Sequence, residues 1–235
     1  MKPLTIIWDF DGTILPLAPF DSEQSLLQYR MNHGQAPFGL LKKAYVKAIV
    51  YADRRERLRK IFKKSYIRLL NGTPSGVLDE VSRDLAETIP AADRRVFRQL
   101  KTDGYEMMVL SCGTADLSER VLRFAGILDC FSRIAGNRFQ FDTGRITGMH
   151  LQLPNPEDKL GIIKNLKRSP DRTMVVGDGY TDLPLLTWAS IPVIIDRSGR
   201  KKKQFASRHF YFISSIPEIM TIIKKFIEHK TALDE

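Results

Sequence analysis

The chain has 235 residues, of which 43% are hydrophobic and 27% charged, with two cysteines and a formal net charge of +10. That length suits one substantial domain, or a domain carrying an insert, and the composition excludes disordered, collagen-like and coiled-coil classes. Cys112 and Cys130 fall in no CxxC or Cys/His cluster and the four histidines show no metal spacing, so neither a disulfide framework nor a structural zinc site is expected.

Residues 4–8, Leu-Thr-Ile-Ile-Trp, form a short apolar run that reads as a buried strand, and Asp9-Phe10-Asp11-Gly12-Thr13 follows directly. The run is too short for an export signal, and no stretch reaches the ~18 apolar residues of a membrane span, so a cytoplasmic protein with no membrane partner is expected. From residue 20 to about 89 apolar residues recur at spacings of three and four, predicting a helical insert. Within it, residues 42–68 carry eleven Lys/Arg against Asp53 and Glu56.

Beyond Pro90 helices alternate with short apolar strands. Helices are predicted at 92–102, 116–124, 156–166, 182–189 and 217–229, and strands at 105–110, 173–176, 193–195 and 209–213. Residues 138–151 alternate around Asp142-Thr143-Gly144-Arg145, the pattern of a hairpin. This rhythm predicts an α/β fold with a doubly wound parallel sheet, residues 1–19 and 90–235, interrupted by the helical insert at 20–89. A second basic run, 197–208, has six Lys/Arg and no acid. Three causes are open for the two runs: an anionic substrate, a polyanionic partner, or a solvated helical face.

In such a sheet active groups gather where loops leave the carboxyl ends of the strands. Asp9 and Asp11 follow the first strand, Ser111-Cys112-Gly113-Thr114 the second, and Gly177-Asp178-Gly179-Tyr180-Thr181-Asp182 a later one, while Lys159 opens a helix. Carboxylates supply hard oxygen ligands for Mg²⁺, which keeps its other positions for water and phosphate. A carboxylate also attacks phosphorus when cations screen the repulsion. Asp9, at the strand tip, is the candidate nucleophile, and Asp11 the candidate acid and base.

With these motifs in this order, the chain resembles the haloacid dehalogenase superfamily, and within it the phosphoserine-phosphatase-like branch, which has a helical cap between its first and second motifs. The resemblance spans roughly residues 4–189. It implies a Rossmann-like core, a phosphoric monoester hydrolase activity on a small phosphoester, and a Mg²⁺ cofactor. Asp9 would be nucleophile and metal ligand, and Asp11 would be acid/base and lend its backbone carbonyl to the metal. Asp178 would be the second carboxylate ligand, with Asp182 supporting the metal site. Ser111 and Lys159 would hold phosphate, with Gly12, Thr13 and Cys112 in the same phosphate-binding set.

An aspartate at position 11 favours phosphoester hydrolysis over dehalogenation, although a phosphotransferase or phosphomutase would keep the same intermediate. Ala18 stands where phosphoserine phosphatases carry a glutamate for the substrate ammonium, which argues against phosphoserine itself. Gly177-x-Gly179 resembles part of a dinucleotide-binding turn, with Asp196 near the place of the ribose-binding acid, but Asp182 occupies the third glycine position and argues against a nucleotide cofactor. A basic protein that binds polyanions or nucleic acid is the alternative of a different class, and no nucleic-acid-binding motif supports it.

Overall fold

The computed structural model describes residues 4–17, 19–33, 40–53 and 59–234. Its first strand, β1 (Thr5–Trp8), is apolar on both faces: Ile6 and Trp8 enter one core, Ile7 another. Such a strand requires cover on both sides. The helices that follow are α1 (Ser22–Asn32), α2 (Leu40–Asp53), α3 (Arg59–Leu70), α4 (Gly76–Glu87) and α5 (Ala91–Thr102). Next come β2 (Glu106–Thr114), α6 (Ala115–Phe124), β3 (Arg133–Asp142), β4 (Arg145–His150), α7 (Pro156–Asn165) and β5 (Thr173–Gly177). The chain continues through α8 (Leu183–Trp188), β6 (Ile191–Ile195), α9 (Lys201–Gln204), β7 (Tyr211–Ile213) and α10 (Ile219–Asp234).

The seven strands form one sheet in the order β4-β3-β2-β1-β5-β6-β7. Phe97 and Leu100 of α5 and Ile219 and Ile223 of α10 close one face; Ile163 of α7 and Leu185 and Leu186 of α8 close the other. The chain leaves β1 toward β2 on one side and later returns to pair β5 on the other, so the order reverses at β1. That reversal opens a crevice at the carboxyl end of β1.

The mostly parallel sheet carries the expected hairpin at one edge: β3 and β4 pair antiparallel, and a two-residue link through Thr143 (φ 45°) and Gly144 (φ 75°) permits no other pairing. One expectation is corrected. The second strand does not end at Leu110 but continues as β2 to Thr114, so Ser111, Cys112 and Gly113 are strand residues. The pairing of β2 with β3 shifts register between Leu110 and Thr114. Asn137 holds the irregular stretch, donating to the Cys112 carbonyl at 2.9 Å and accepting from the Leu153 N–H at 3.0 Å. A bulge of this kind re-aims side chains beside a site.

Helices α1 to α4 pool their apolar faces, with Leu26, Leu27, Val50, Phe62, Tyr66 and Val81 packed together and against Leu117 of α6, Phe139 of β3 and Ile146 of β4. The link before α4 is stitched to the hairpin: Gly72 N–H donates to Ile146 O at 2.7 Å, Ile146 N–H to Thr73 O at 2.9 Å, and Ser75 N–H to Gly144 O at 2.8 Å. Of the first basic run, Lys47, Lys64 and Arg68 are exposed. Lys63 is not on a solvated face: it is 5% exposed and pairs with Glu23 of α1. Ala18, and Arg54, Arg55 and Arg57, lie outside the described residues. Among the described residues no helix is long and apolar enough to cross a membrane.

Candidate active site

Asp9 leaves β1 with its N–H donated to Val176 O of β5 at 2.9 Å, so its backbone is still held by the sheet where its side chain enters the crevice. The turn that follows is tight. Gly12 N–H donates to Leu15 O at 2.8 Å and Thr13 N–H to Phe10 O at 3.2 Å, and Gly12 adopts φ +81°. The backbone amides of Gly12 and Thr13, two residues of the expected phosphate-binding set, are therefore committed to the turn itself.

The carboxylates converge from two strand ends. One oxygen each from Asp9, Asp178 and Asp182 lie within 4.8 Å of one another. Lys159, in the first turn of α7 and only 1% exposed, donates to Asp9 Oδ1 and to Asp182 Oδ1, both at 2.7 Å. The other oxygen of Asp182 accepts from the backbone N–H of Asp178 at 3.0 Å and of Gly179 at 3.3 Å. Gly177 makes room for this, since a Cβ there would stand 2.4 Å from the Asp182 carboxyl carbon.

The site is a buried charge cluster, and its protonation equilibria say so. Burial pushes the Asp9 carboxyl well above the usual carboxylate range, Asp182 adds to the shift, and Lys159 opposes it. Burial likewise raises Asp178, against the pull of Lys201. For Lys159 burial disfavours the charge, but Asp182 and Asp9 outweigh it and hold the ammonium above its ordinary value. Three carboxylates this close to one another, at strand termini, could hold a hard dication through their oxygens.

Asp11 turns away from this triad. Its two oxygens accept from the Ser22 N–H at 2.8 Å and the Ser22 hydroxyl at 2.9 Å, at the start of α1. Its Oδ2 still faces β2, because a Cβ on Gly113 would lie 3.0 Å from that oxygen and 3.0 Å from the Ser111 hydroxyl. Ser111 is 3% exposed and its hydroxyl accepts from Gly113 N–H at 2.9 Å; Cys112, also 3% exposed, is a strand residue beside it. The structure thus gathers Asp9, Lys159, Asp178 and Asp182 in one contact network and sets Asp11 with Ser111 at its β2 side.

Several participants carried no signal in the sequence reading. Ser22 is one. Glu23 is another, 2% exposed and joined both to Lys63 and to the Thr114 hydroxyl at the end of β2. The second basic run, singled out in sequence by its charge but with no role for any one residue, supplies two more contacts: Lys201 donates to Asp178 Oδ2 at 2.6 Å, and Arg197 reaches the Gly12–Thr13 turn. Only the adjacency of Ser22 and Glu23 to the first motif could have drawn attention to them.

The turn sets a strong test of packing. A Cβ on Gly12 would stand 2.3 Å from Asp178 Oδ2, and the left-handed backbone adds strain of about 1–2 kcal/mol for any L side chain. Gly12→Ala is expected to lower the urea midpoint and, by displacing Asp178, to reduce any turnover at this candidate site more than tenfold, about the loss expected when a reacting group is misplaced. Urea melts and initial rates on the same sample check both.

Comparison with known proteins agrees with this geometry. A family model described as haloacid dehalogenase-like hydrolase matches residues 6–187. Among solved structures, a substrate-bound phosphoserine phosphatase is 17% identical, with a TM-score of 0.67 over 94% of this chain and 99% of that one. A phosphoserine phosphohydrolase-like protein from Francisella tularensis is similar at 17% identity, TM-score 0.67, over the same shares of 94% and 99%. Cytosolic 5′-nucleotidase IIIB bound to cytidine is 17% identical, with a TM-score of 0.65 over 97% of this chain and 87% of that one. At such identities the likeness is one of fold. Among curated proteins no sequence matches.

Proposed function

Because the chain belongs to the haloacid dehalogenase-like hydrolase family, we propose that it is a Mg²⁺-dependent phosphatase that hydrolyses a small phosphate monoester through an aspartyl-phosphate on Asp9. The observation that carries this reading is the position of Asp9: at the tip of β1, on Lys159, and in a triad with Asp178 and Asp182. The names of its fold neighbours, a phosphoserine phosphatase and a 5′-nucleotidase, support a phosphate ester as the substrate class.

Asp9, Asp178 and Asp182 would hold the metal, whose charge neutralises the phosphoryl oxygens when bound. Lys159 opposes the burial that disfavours ionised Asp9 and adds a second positive charge where the phosphoryl group must sit. The Asp9 carboxylate attacks phosphorus, the phosphorus–oxygen bond to the leaving group breaks, and Asp11 delivers the proton that the departing alkoxide needs. Asp11 then takes a proton from water, which attacks the phosphoryl group, releases phosphate and restores Asp9. Ser111, buried beside Asp11, supplies a hydroxyl donor to the transferring group.

Helices α1 to α4 are the substrate-selecting cap in this reading, since the catalytic side chains other than the Asp11 support lie outside them. The substrate need not carry an ammonium group, given Ala18. The test is a panel of phosphorylated metabolites assayed with Mg²⁺ and with excess chelator in cytoplasm-like buffer. Metal-dependent phosphate release from at least one monoester is expected; release that persists undiminished in chelator would overturn the reading.

A further inference from the structure

The six residues after Asp196, which follows β6, are folded around its carboxylate. Asp196, 7% exposed, accepts from the Ser198 hydroxyl at 3.1 Å and from the backbone N–H of Arg200 and Lys202, each at 3.0 Å. These bonds hold its carboxyl below the usual carboxylate range against the opposing effect of burial. The consequence is a division of the basic run. Arg200, Lys202 and Lys203 are exposed, whereas the Arg197 side chain, 28% exposed, reaches the Gly12–Thr13 turn and Lys201 reaches Asp178, both from one short turn.

Arg197 ties three segments together. Its Nη1 donates to the carbonyls of Gly12 and Thr13, both at 3.0 Å, and its Nη2 lies 3.4 Å from Asp93 Oδ2 on α5. The Gly12 and Thr13 amides close the turn after Asp11, and their carbonyls accept from Arg197, outside it. Asp93 is deeply buried, its side chain 5% exposed, and Arg197, 28% exposed, is the cation that faces it. A guanidinium presents several donors in a fixed fork; an ammonium is a point charge and does not reproduce that geometry.

We infer that Arg197 is a positioning residue of the phosphoryl-transfer site: by holding the Gly12 and Thr13 carbonyls against α5, it fixes the turn that carries Asp9 and Asp11 at its start. The kinetic part of this inference rests on the phosphatase reading, and the structural part does not. Arg197 touches neither the acid triad nor Asp11. Its effect on the reaction therefore passes through the backbone of residues 9–15.

The experiment compares full-length wild type with Arg197→Met, Arg197→Lys and, as a control on the exposed side of the same run, Lys203→Met. Amide hydrogen exchange of the peptide covering residues 10–15 is read beside kcat and KM for p-nitrophenyl phosphate with Mg²⁺. For Arg197→Met, exchange in that peptide is expected to rise about tenfold or more and kcat to fall about tenfold or more, as befits the loss of charge-assisted hydrogen bonds. KM is expected to stay within about twofold, because substrate contacts are not removed. Exchange in β1 and β5 should be unchanged, and Lys203→Met should match wild type.

Should Arg197→Met fail to fold, Arg197→Lys decides alone, since it keeps a cation against Asp93. It is expected to show the same two changes by about threefold or more, the fork being lost. Wild-type exchange and kcat in Arg197→Lys, or wild-type exchange of residues 10–15 in a folded Arg197→Met, would overturn the inference. If the wild type hydrolyses no phosphate ester, the phosphatase reading fails while the exchange comparison still decides the positioning role.

Discussion

Replacing Asp9 by asparagine is expected to abolish turnover while making the metal-free protein more stable. The two effects share one cause. Asp9 lies within 4.8 Å of two other carboxylates and is almost fully buried, and its carboxyl is held well above the usual range by burial first and by Asp182 second. An acid whose folded-state pKa is raised loses stability as pH climbs past its unfolded value, and at neutral pH the cost of holding it ionised is present. An amide of the same shape removes that cost and leaves Lys159 paired to Asp182. It also removes the proposed attacking oxygen, and loss of a covalent nucleophile costs about 10⁴-fold or more in kcat. Thermal melts without metal and single-turnover assays with Mg²⁺ check the pair. A variant within tenfold of wild-type turnover would end the aspartyl-phosphate mechanism; a lower melting temperature would show that Lys159 outweighs the repulsion among the acids.

This trade between stability and chemistry also marks which parts of the site were legible before the fold was known. Asp9 and Asp178 each follow an apolar run within a residue or two, so their place at the end of a strand could be read from local pattern. Lys159 has no such local mark; the role proposed for it came from family resemblance, and what the fold adds is its position, the first turn of α7 aiming it at Asp9 from 150 positions away in sequence. Arg197 meets Gly12 across 185 positions through a backbone carbonyl, an acceptor that every residue has, so no motif records it. Lys63 looked like one base in a solvated run, and its burial depends on Glu23, 40 positions earlier. Ser111 to Gly113 lie inside β2 across a register shift that Asn137, on the neighbouring strand, meets with a hydrogen bond to the Cys112 carbonyl. Local chemistry was readable wherever a strand end determined it. Contacts made by backbone atoms or by distant charges were not, because composition and period carry no information on them.

The second large effect is expected at Asp11, and it should depend on what departs. Asp11 is outside the acid triad, so Asp11→Asn leaves the candidate metal ligands in place and tests proton transfer alone. General acid catalysis matters most when the leaving oxygen is strongly basic. A loss of about 10²–10⁴-fold is expected for an alkyl phosphate, and a clearly smaller one for p-nitrophenyl phosphate, whose phenoxide leaves without a proton. Ser22 sharpens the test, because its N–H and hydroxyl hold the two Asp11 oxygens at 2.8 and 2.9 Å. Ser22→Ala removes the hydroxyl and keeps the N–H, so the same leaving-group dependence should appear at a smaller scale, about tenfold for the alkyl ester, in line with one hydrogen bond to a charged group. Measuring kcat/KM for both esters in both variants separates proton transfer from a general loosening of the site, which would slow the two substrates alike. Equal losses for the two esters in Asp11→Asn would assign the proton transfer to another group.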